Sequence, residues 1–175
     1  MNHTDHVYLL RTGISERGGI WADLGSGEGA FTLALTDLIG PDAVIYSVDQ
    51  DSRALKEQER AMRARFPTVT VHYLNADFTR PLELPPLDGV VMANSLHFHR
   101  QKDSILERVH SYLKEGGRLL LVEYNTDRGN SWVPYPLSYA TWETLARHNG
   151  FAETRLLATR PSRFLGEIYS AISVR

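Results

Sequence analysis

The densest chemical signal in the chain is Asp23-Leu24-Gly25-Ser26-Gly27-Glu28-Gly29. Three glycines at alternate positions let a backbone turn sharply and let a ligand approach with no Cβ in the way. Where a helix follows such a loop, its first free N–H groups favour an electron-rich group such as a carboxylate or phosphate. Asp49 lies twenty residues after Gly29. An acid at that place reaches the two ribose hydroxyls of a nucleoside and can accept both of their hydrogens. The alternative for Asp49 is a plain surface turn, and Asp51 competes for the ribose unless it caps the next helix. Asn75-Ala76-Asp77-Phe78 brings a third acid. Either Asp77 accepts from an exocyclic purine amine while the next backbone N–H meets the ring, or it closes an ordinary Asx turn.

These residues need strands before them and helices after them, and the hydrophobic pattern supplies both. Ile20–Leu24 is a short apolar run ending at the glycines, and Ala30–Ile39 has apolar residues at helical spacing stopped by Gly40-Pro41. The pattern predicts a strand over Ala43–Val48, then a helix over Asp51–Phe66 with Asp51 or Ser52 as N-cap and Pro67 as terminator. Thr68–Leu74 alternates and is rich in β-branched residues, the mark of a third strand. Gly89–Ala93 makes a fourth strand, Ser104–Leu113 a helix, and Glu115-Gly116-Gly117 a turn into a fifth strand over Arg118–Tyr124. Ser138–Asn149 reads as a helix stopped by Gly150. Phe151–Thr159 and Glu167–Val174 read as a hairpin turning at Arg160-Pro161-Ser162. A βαβαβ start implies a doubly wound, mostly parallel α/β sheet, whose ligands sit beyond the carboxyl ends of the strands where strand order reverses. The glycine loop, Asp49 and Asp77 all fall at such ends.

At 175 residues the chain fits one domain, and its 42% hydrophobic content is enough for a core. The organisation predicted is a short N-terminal cap segment over residues 1–19 and a single domain over 20–175. There is no cysteine, which excludes disulfides, thiolate catalysis and Cys-based zinc sites. The net charge of −2 argues against a nucleic-acid partner, and the basic cluster from Arg60 to Arg65 reads as a solvated helix face. The opening MNHTDHVYLLRTG lacks the pattern of a secretory signal, and no apolar run reaches the roughly 20 residues that cross a bilayer. The expectation is a soluble, cytoplasmic protein with no membrane partner; its oligomeric state is open.

Together the motifs resemble the class I S-adenosylmethionine-dependent methyltransferase family, in its small-molecule, ubiquinone/menaquinone-biosynthesis-like branch. DLGSGEG matches the family's D/E-x-G-x-G-x-G loop, implying donor contacts from Asp23, Gly25, Ser26, Gly27 and Gly29. Asp49 looks like the family's ribose-binding acid, and Gln50 falls where a residue often flanks adenine. ADF is similar to the adenine-contacting segment, implying Asp77 and Phe78. NSLHF, residues 94–98, resembles the segment after strand four, where Asn94 and Ser95 would line the methionine moiety and the transfer site. The resemblance runs from about Ile20 to Arg175. It implies a Rossmann-like fold closed by an antiparallel hairpin, S-adenosyl-L-methionine as cofactor and a small-molecule acceptor.

Methyl transfer from a sulfonium is an in-line displacement whose main demand is alignment. A base is needed only where the nucleophile carries a proton it does not lose by itself. His97 is the candidate base, and His99 lines the acceptor side; the plain alternative is that one packs and the other is solvated. No third ligand accompanies them, so no metal is expected. Tyr124, Trp132 and Tyr135 either cover an apolar acceptor or cap the core. NSLH in place of an N/D-P-P-Y/F tetrad argues against methylation of base amines. Asn94 and Glu123-Tyr124-Asn125 depart from the pattern of magnesium-assisted catechol-type enzymes. Two readings from other classes stay open. GSGEGA also satisfies the G-x-G-x-x-A of a nicotinamide-dependent oxidoreductase. The chain could also be a donor-binding subunit of a partner-dependent RNA or protein methyltransferase.

Overall fold

The computed structural model describes residues 1–175. Its centre is a seven-stranded sheet formed by β1 (Ile20–Leu24), β2 (Val44–Asp49), β3 (Thr70–Asn75), β4 (Leu87–Ala93), β5 (Leu113–Tyr124), β6 (Glu153–Ser162) and β7 (Gly166–Val174), in the order β3-β2-β1-β4-β5-β7-β6. The first five run parallel, and β7 pairs antiparallel with both β5 and β6. Strand order reverses between β1 and β4, so the chain leaves these neighbours in opposite directions and a crevice opens above them.

The helices α1 (His3–Leu10), α2 (Ala30–Ile39), α3 (Ser52–Arg65), α4 (Asp103–Tyr112) and α5 (Tyr139–His148) cover both faces. Period-2 alternation in the strands sorts side chains between the two sides. Ala22, Leu119 and Leu121 join Ile105, Leu106 and Val109 of α4 and Trp142 of α5 in one core. Trp21, Leu120 and Val122 join Phe31, Leu35 and Ile39 of α2 in the other. Asp51 caps α3 by accepting from the N–H groups of Arg53 and Ala54, and Ser138 caps α5 by accepting from Thr141.

Two expectations from the sequence are corrected. β5 begins at Leu113, before the glycines; Glu115-Gly116-Gly117 bulges within the strand. Its backbone groups are satisfied by Arg175, with Gly116 N donating to Arg175 O and Arg175 N to Gly117 O. The hairpin turns at residues 163–165, not at Arg160-Pro161-Ser162, which lie in β6. β6 is the sheet's edge, where proline's missing N–H does no harm, and Gly166 at φ +77° takes the tight corner instead. Residues 1–19 carry α1, which packs on α2, β6 and β7. Leu9 and Leu10 are fully buried in the second core.

A polar network fills the space beneath the glycine loop. The Asp23 carboxylate is buried and accepts from Thr32 Oγ1 at 2.6 Å; Thr32 in turn accepts from Gln58 Nε2 at 2.7 Å. Gln58 Oε1 accepts from Ser47 Oγ at 2.9 Å and Ser26 Oγ at 3.3 Å. α2, α3, β1 and β2 are thereby tied together around the loop. Burial is the main influence on Asp23: it pushes the carboxyl up to about 7, against the Thr32 hydrogen bond and with some help from Asp49.

Two consequences can be measured. Leu10→Ala should cost about 2–5 kcal/mol in urea unfolding; a change within experimental scatter would show that α1 is a detachable flap. The folded chain holds the Asp23 proton more tightly than the unfolded one. The stability linked to that proton is therefore complete below the unfolded value near 4 and is lost as pH rises towards about 7. Asp23→Asn keeps an acceptor for Thr32 without the buried charge. Its stability relative to wild type should rise between pH 5 and pH 8 by more than 1 kcal/mol, about one pKa unit of linkage. A difference that does not change with pH would refute the assignment.

Candidate functional site

At the carboxyl ends of β1, β2 and β4 lies a cleft of about 220 Å³, lined by Gly25, Asp49, Gln50, Phe78, Asn94, Ser95, Phe98 and His99. A larger recess of about 300 Å³ lies at the opposite edge among Glu16, Arg17, Lys114 and Arg118. That recess sits at the amino ends of the strands, away from the topological reversal, and gathers none of the residues with chemistry to offer.

The loop after β1 is shaped by close approach. A Cβ on Gly25 would come within 2.5 Å of the Ser95 side chain, so the two loops meet only because Gly25 has none. Gly27, at φ +53°, faces open space, and its N–H is directed to Asp49. Gly29 is the N-cap of α2, which has no side-chain cap, so the first N–H groups of that helix remain available. Ser26 and Asp23 point the other way, into the network below, and support the loop from beneath.

Asp49 is oriented by two backbone donors: Gly27 N gives to Oδ2 at 2.7 Å and Asp51 N to Oδ1 at 2.8 Å. Each carboxylate oxygen keeps a second lone pair for a ligand hydroxyl. Gln50 is exposed beside it, and Asn75 Nδ2 fixes that turn by donating to the carbonyls of Asp49 and Gln50. Phe78 forms an apolar wall. Asp77 does not line the cleft: its Oδ1 accepts from Thr79 N and Oγ1, an Asx turn, and the Thr79 hydroxyl chiefly holds its pKa below the ordinary carboxylate value.

The segment after β4 is held from below by Glu123, a residue that motif reading passed over. Its carboxylate is fully buried, accepts from Leu96 N and His97 N on Oε1 at 3.1 Å each, and meets His97 Nδ1 at 2.7 Å through Oε2. The one signal available in sequence was an acid closing an apolar strand, which needs compensation once buried. Ser95 Oγ donates to Leu24 O at 2.8 Å, joining this segment to the glycine loop. Asn94 adopts φ +52° and buries its Oδ1 with no hydrogen-bond partner. In a folded core such an atom calls for a ligand or donor to complete it.

His97 sits apart from the cleft wall. It is buried, with its ring 4.3 Å from Phe98 and 6.0 Å from Tyr124. His99 lines the cleft edge-on to Phe78 at 5.2 Å, and burial is the main reason its pKa is lowered. Tyr135 donates its backbone N–H to His97 O, and Lys102 Nζ binds the carbonyls of His99 and Tyr135, closing the β4 and β5 loops against each other. Trp132 is 76% exposed and Tyr135 42%. Two groups therefore emerge: a donor-side cleft with Gly25, Gly27, Asp49, Gln50, Phe78 and Asn94, and an adjoining aromatic region with His97, Tyr124 and Tyr135.

The comparisons with known proteins bear on this geometry. The methyltransferase domain family matches residues 22–119, more than half of the chain. The chain is 28% identical over 158 residues to the arsenite methyltransferase of Aquipseudomonas alcaligenes, covering 79% of this chain and 46% of that protein. It is 30% identical over 105 residues to the ubiquinone/menaquinone biosynthesis C-methyltransferase of Pasteurella multocida, covering 59% of this chain and 39% of that one. The chain thus spans less than half the length of these relatives. Its fold is like that of the YcgJ protein of Bacillus subtilis, with a TM-score of 0.78 at 13% identity over 99% of both chains. No helix is long and apolar enough to cross a membrane. Glycine loop, an acid at the end of β2, strand order and family match agree, and the chain belongs to the class I S-adenosylmethionine-dependent methyltransferases.

Proposed function

We propose that the chain moves a methyl group from S-adenosylmethionine to a small-molecule acceptor in the cytoplasm, aligning the two for in-line displacement. The observation that carries this is the Asp49 carboxylate, preoriented by two backbone donors in a cleft that Gly25, Phe78 and Asn94 also line. Asp49 suits the ribose hydroxyls of an adenosylated amino acid, and the Asn94 segment would lie towards its amino-acid end. The uncapped start of α2 suits a carboxylate. Gln50 and Phe78 would flank the purine. Bound there, S-adenosylmethionine supplies a methyl carbon made electrophilic by its sulfonium.

For an acceptor that must lose a proton, His97 is the base. Glu123 Oε2 lies 2.7 Å from Nδ1, and a hydrogen on Nδ1 donated to it would leave the lone pair on Nε2. Glu123 acts through His97 and is a positioning residue. Tyr124, Trp132 and Tyr135 would shield the acceptor from water. Neither the nicotinamide reading nor the RNA or protein subunit reading draws support from the site: the orphaned Asn94 has no evident role in the first, and the site gives no reason to require a second subunit.

Titration calorimetry tests the donor assignment. S-adenosylhomocysteine should bind and NAD should not, and Asp49→Ala should weaken the former by about 10- to 100-fold, the loss of one or two charge-assisted hydrogen bonds. An unshifted melting temperature would show that the variant is folded; unchanged affinity would place the ribose acid elsewhere. Release of S-adenosylhomocysteine across a panel of phenols, thiols and carbon acids tests the base. With the acceptor that panel returns, Glu123→Gln should lower turnover by about 100-fold or more, within the range of general-base effects, while donor affinity changes less than threefold. A variant with wild-type turnover would reduce Glu123 to packing.

A further inference from the structure

Three loops converge at the carboxyl edge beside the His97 region, and each carries an exposed aromatic side chain and an exposed arginine. The β4–α4 loop holds Phe98 and Arg100, the β5–α5 loop Arg128 and Trp132, and the β6–β7 turn Arg163 and Phe164. Phe98, Trp132 and Phe164 are at least half exposed. The ring contacts run from Phe98 through His97 and Tyr124 to Phe164, so the hairpin turn belongs to the same mouth as the candidate base. None of the three guanidinium groups makes a hydrogen bond or ion pair.

The carboxylates on the same loops are committed elsewhere. Asp127 accepts from Ser138 N and Oγ at the cap of α5, and Glu167 accepts from Asn125 Nδ2. The donor half has the opposite balance, with Glu28, Asp49, Asp51 and Asp77 on its loops. Acidic loops suit a cationic donor, and unpaired arginines suit an anion, which planar guanidinium groups bind with paired hydrogen bonds. Resting on the methyltransferase reading, we propose that the acceptor is a molecule with an apolar or aromatic body and an anionic group, held by these aromatic side chains and by Arg100, Arg128 and Arg163. The rings bury the body, and the arginines draw the anion to the mouth and fix which end enters.

The test uses two probes that share an anilinonaphthalene skeleton: anionic 8-anilinonaphthalene-1-sulfonate and neutral N-phenyl-1-naphthylamine. With S-adenosylhomocysteine saturating, the anion should bind at least tenfold more tightly than the neutral probe. Added salt should erode that preference. The triple variant Arg100→Gln, Arg128→Gln, Arg163→Gln should reduce it to within twofold and leave neutral-probe affinity in place, whereas Arg147→Gln on α5 should change neither. Equal affinity of both probes for the wild type, or a preference that survives the triple change, would overturn the proposal. S-adenosylhomocysteine titrated into the same samples separates the two readings. If it binds while the anion preference is absent, only the acceptor class is wrong; if it does not bind, the methyltransferase reading falls and the acceptor proposal with it.

Discussion

A parallel sheet that keeps its carboxyl edge open for a ligand must satisfy the polar groups of that edge from below. In this chain two buried carboxylates do so. Asp23 anchors the glycine loop through Thr32 and Gln58, and Glu123 gathers three donors from Leu96 and His97. Without Glu123 two backbone N–H groups and an imidazole would be buried unpaired, each such polar group costing about 1–3 kcal/mol. The shape of the cleft follows from these anchors, because Ser95 then reaches Leu24 O and leaves room only for a glycine at position 25.

The two anchors differ in electrostatic character. Asp23 has one strong neutral donor and little else, so burial dominates and its carboxyl holds a proton up to about 7. Glu123 instead has three N–H partners, two from the backbone and one from an imidazole. The first arrangement supports the loop after β1 from beneath. The second fixes the backbone after β4 and the orientation of the His97 ring. One sheet thus holds two buried acids with different donor sets.

Much of the fold was legible in the sequence because it rests on local pattern. The apolar run before the glycines and the helical spacing closed by Gly40-Pro41 place β1 and α2 at their observed limits. The hairpin turn was misplaced because Pro161 is a strong local turn signal, and only its place on an edge strand, a fact of the whole sheet, cancels that signal. The packing of α1 was not legible because nothing local shows that Leu9 and Leu10 join Trp21 and Phe31 in one core. Within the site, glycine spacing and the ends of strands point to Gly25, Asp49 and Asn94. Glu123 and Gln58 escaped for the same reason as α1: their partners lie 11 or more residues away in other elements, and a single acid or amide carries no periodicity.

The two halves of the site are also built to different tolerances. On the donor side the loops are held by hydrogen bonds inside the protein, Asp49 by Gly27 and Asp51, Ser95 by Leu24, and the turn after β2 by Asn75, while the first N–H groups of α2 stay uncapped. Such a surface is preorganised: little is left to order on binding, which keeps more of the interaction energy in the affinity. The acceptor side consists of loop tips whose large rings are already in water and whose arginines are unpaired. Substituting there breaks no buried network, so the mouth can change its acceptor while the cleft beneath it stays fixed. A rigid donor site under a replaceable rim is what a fold needs if one reaction is to serve many acceptors.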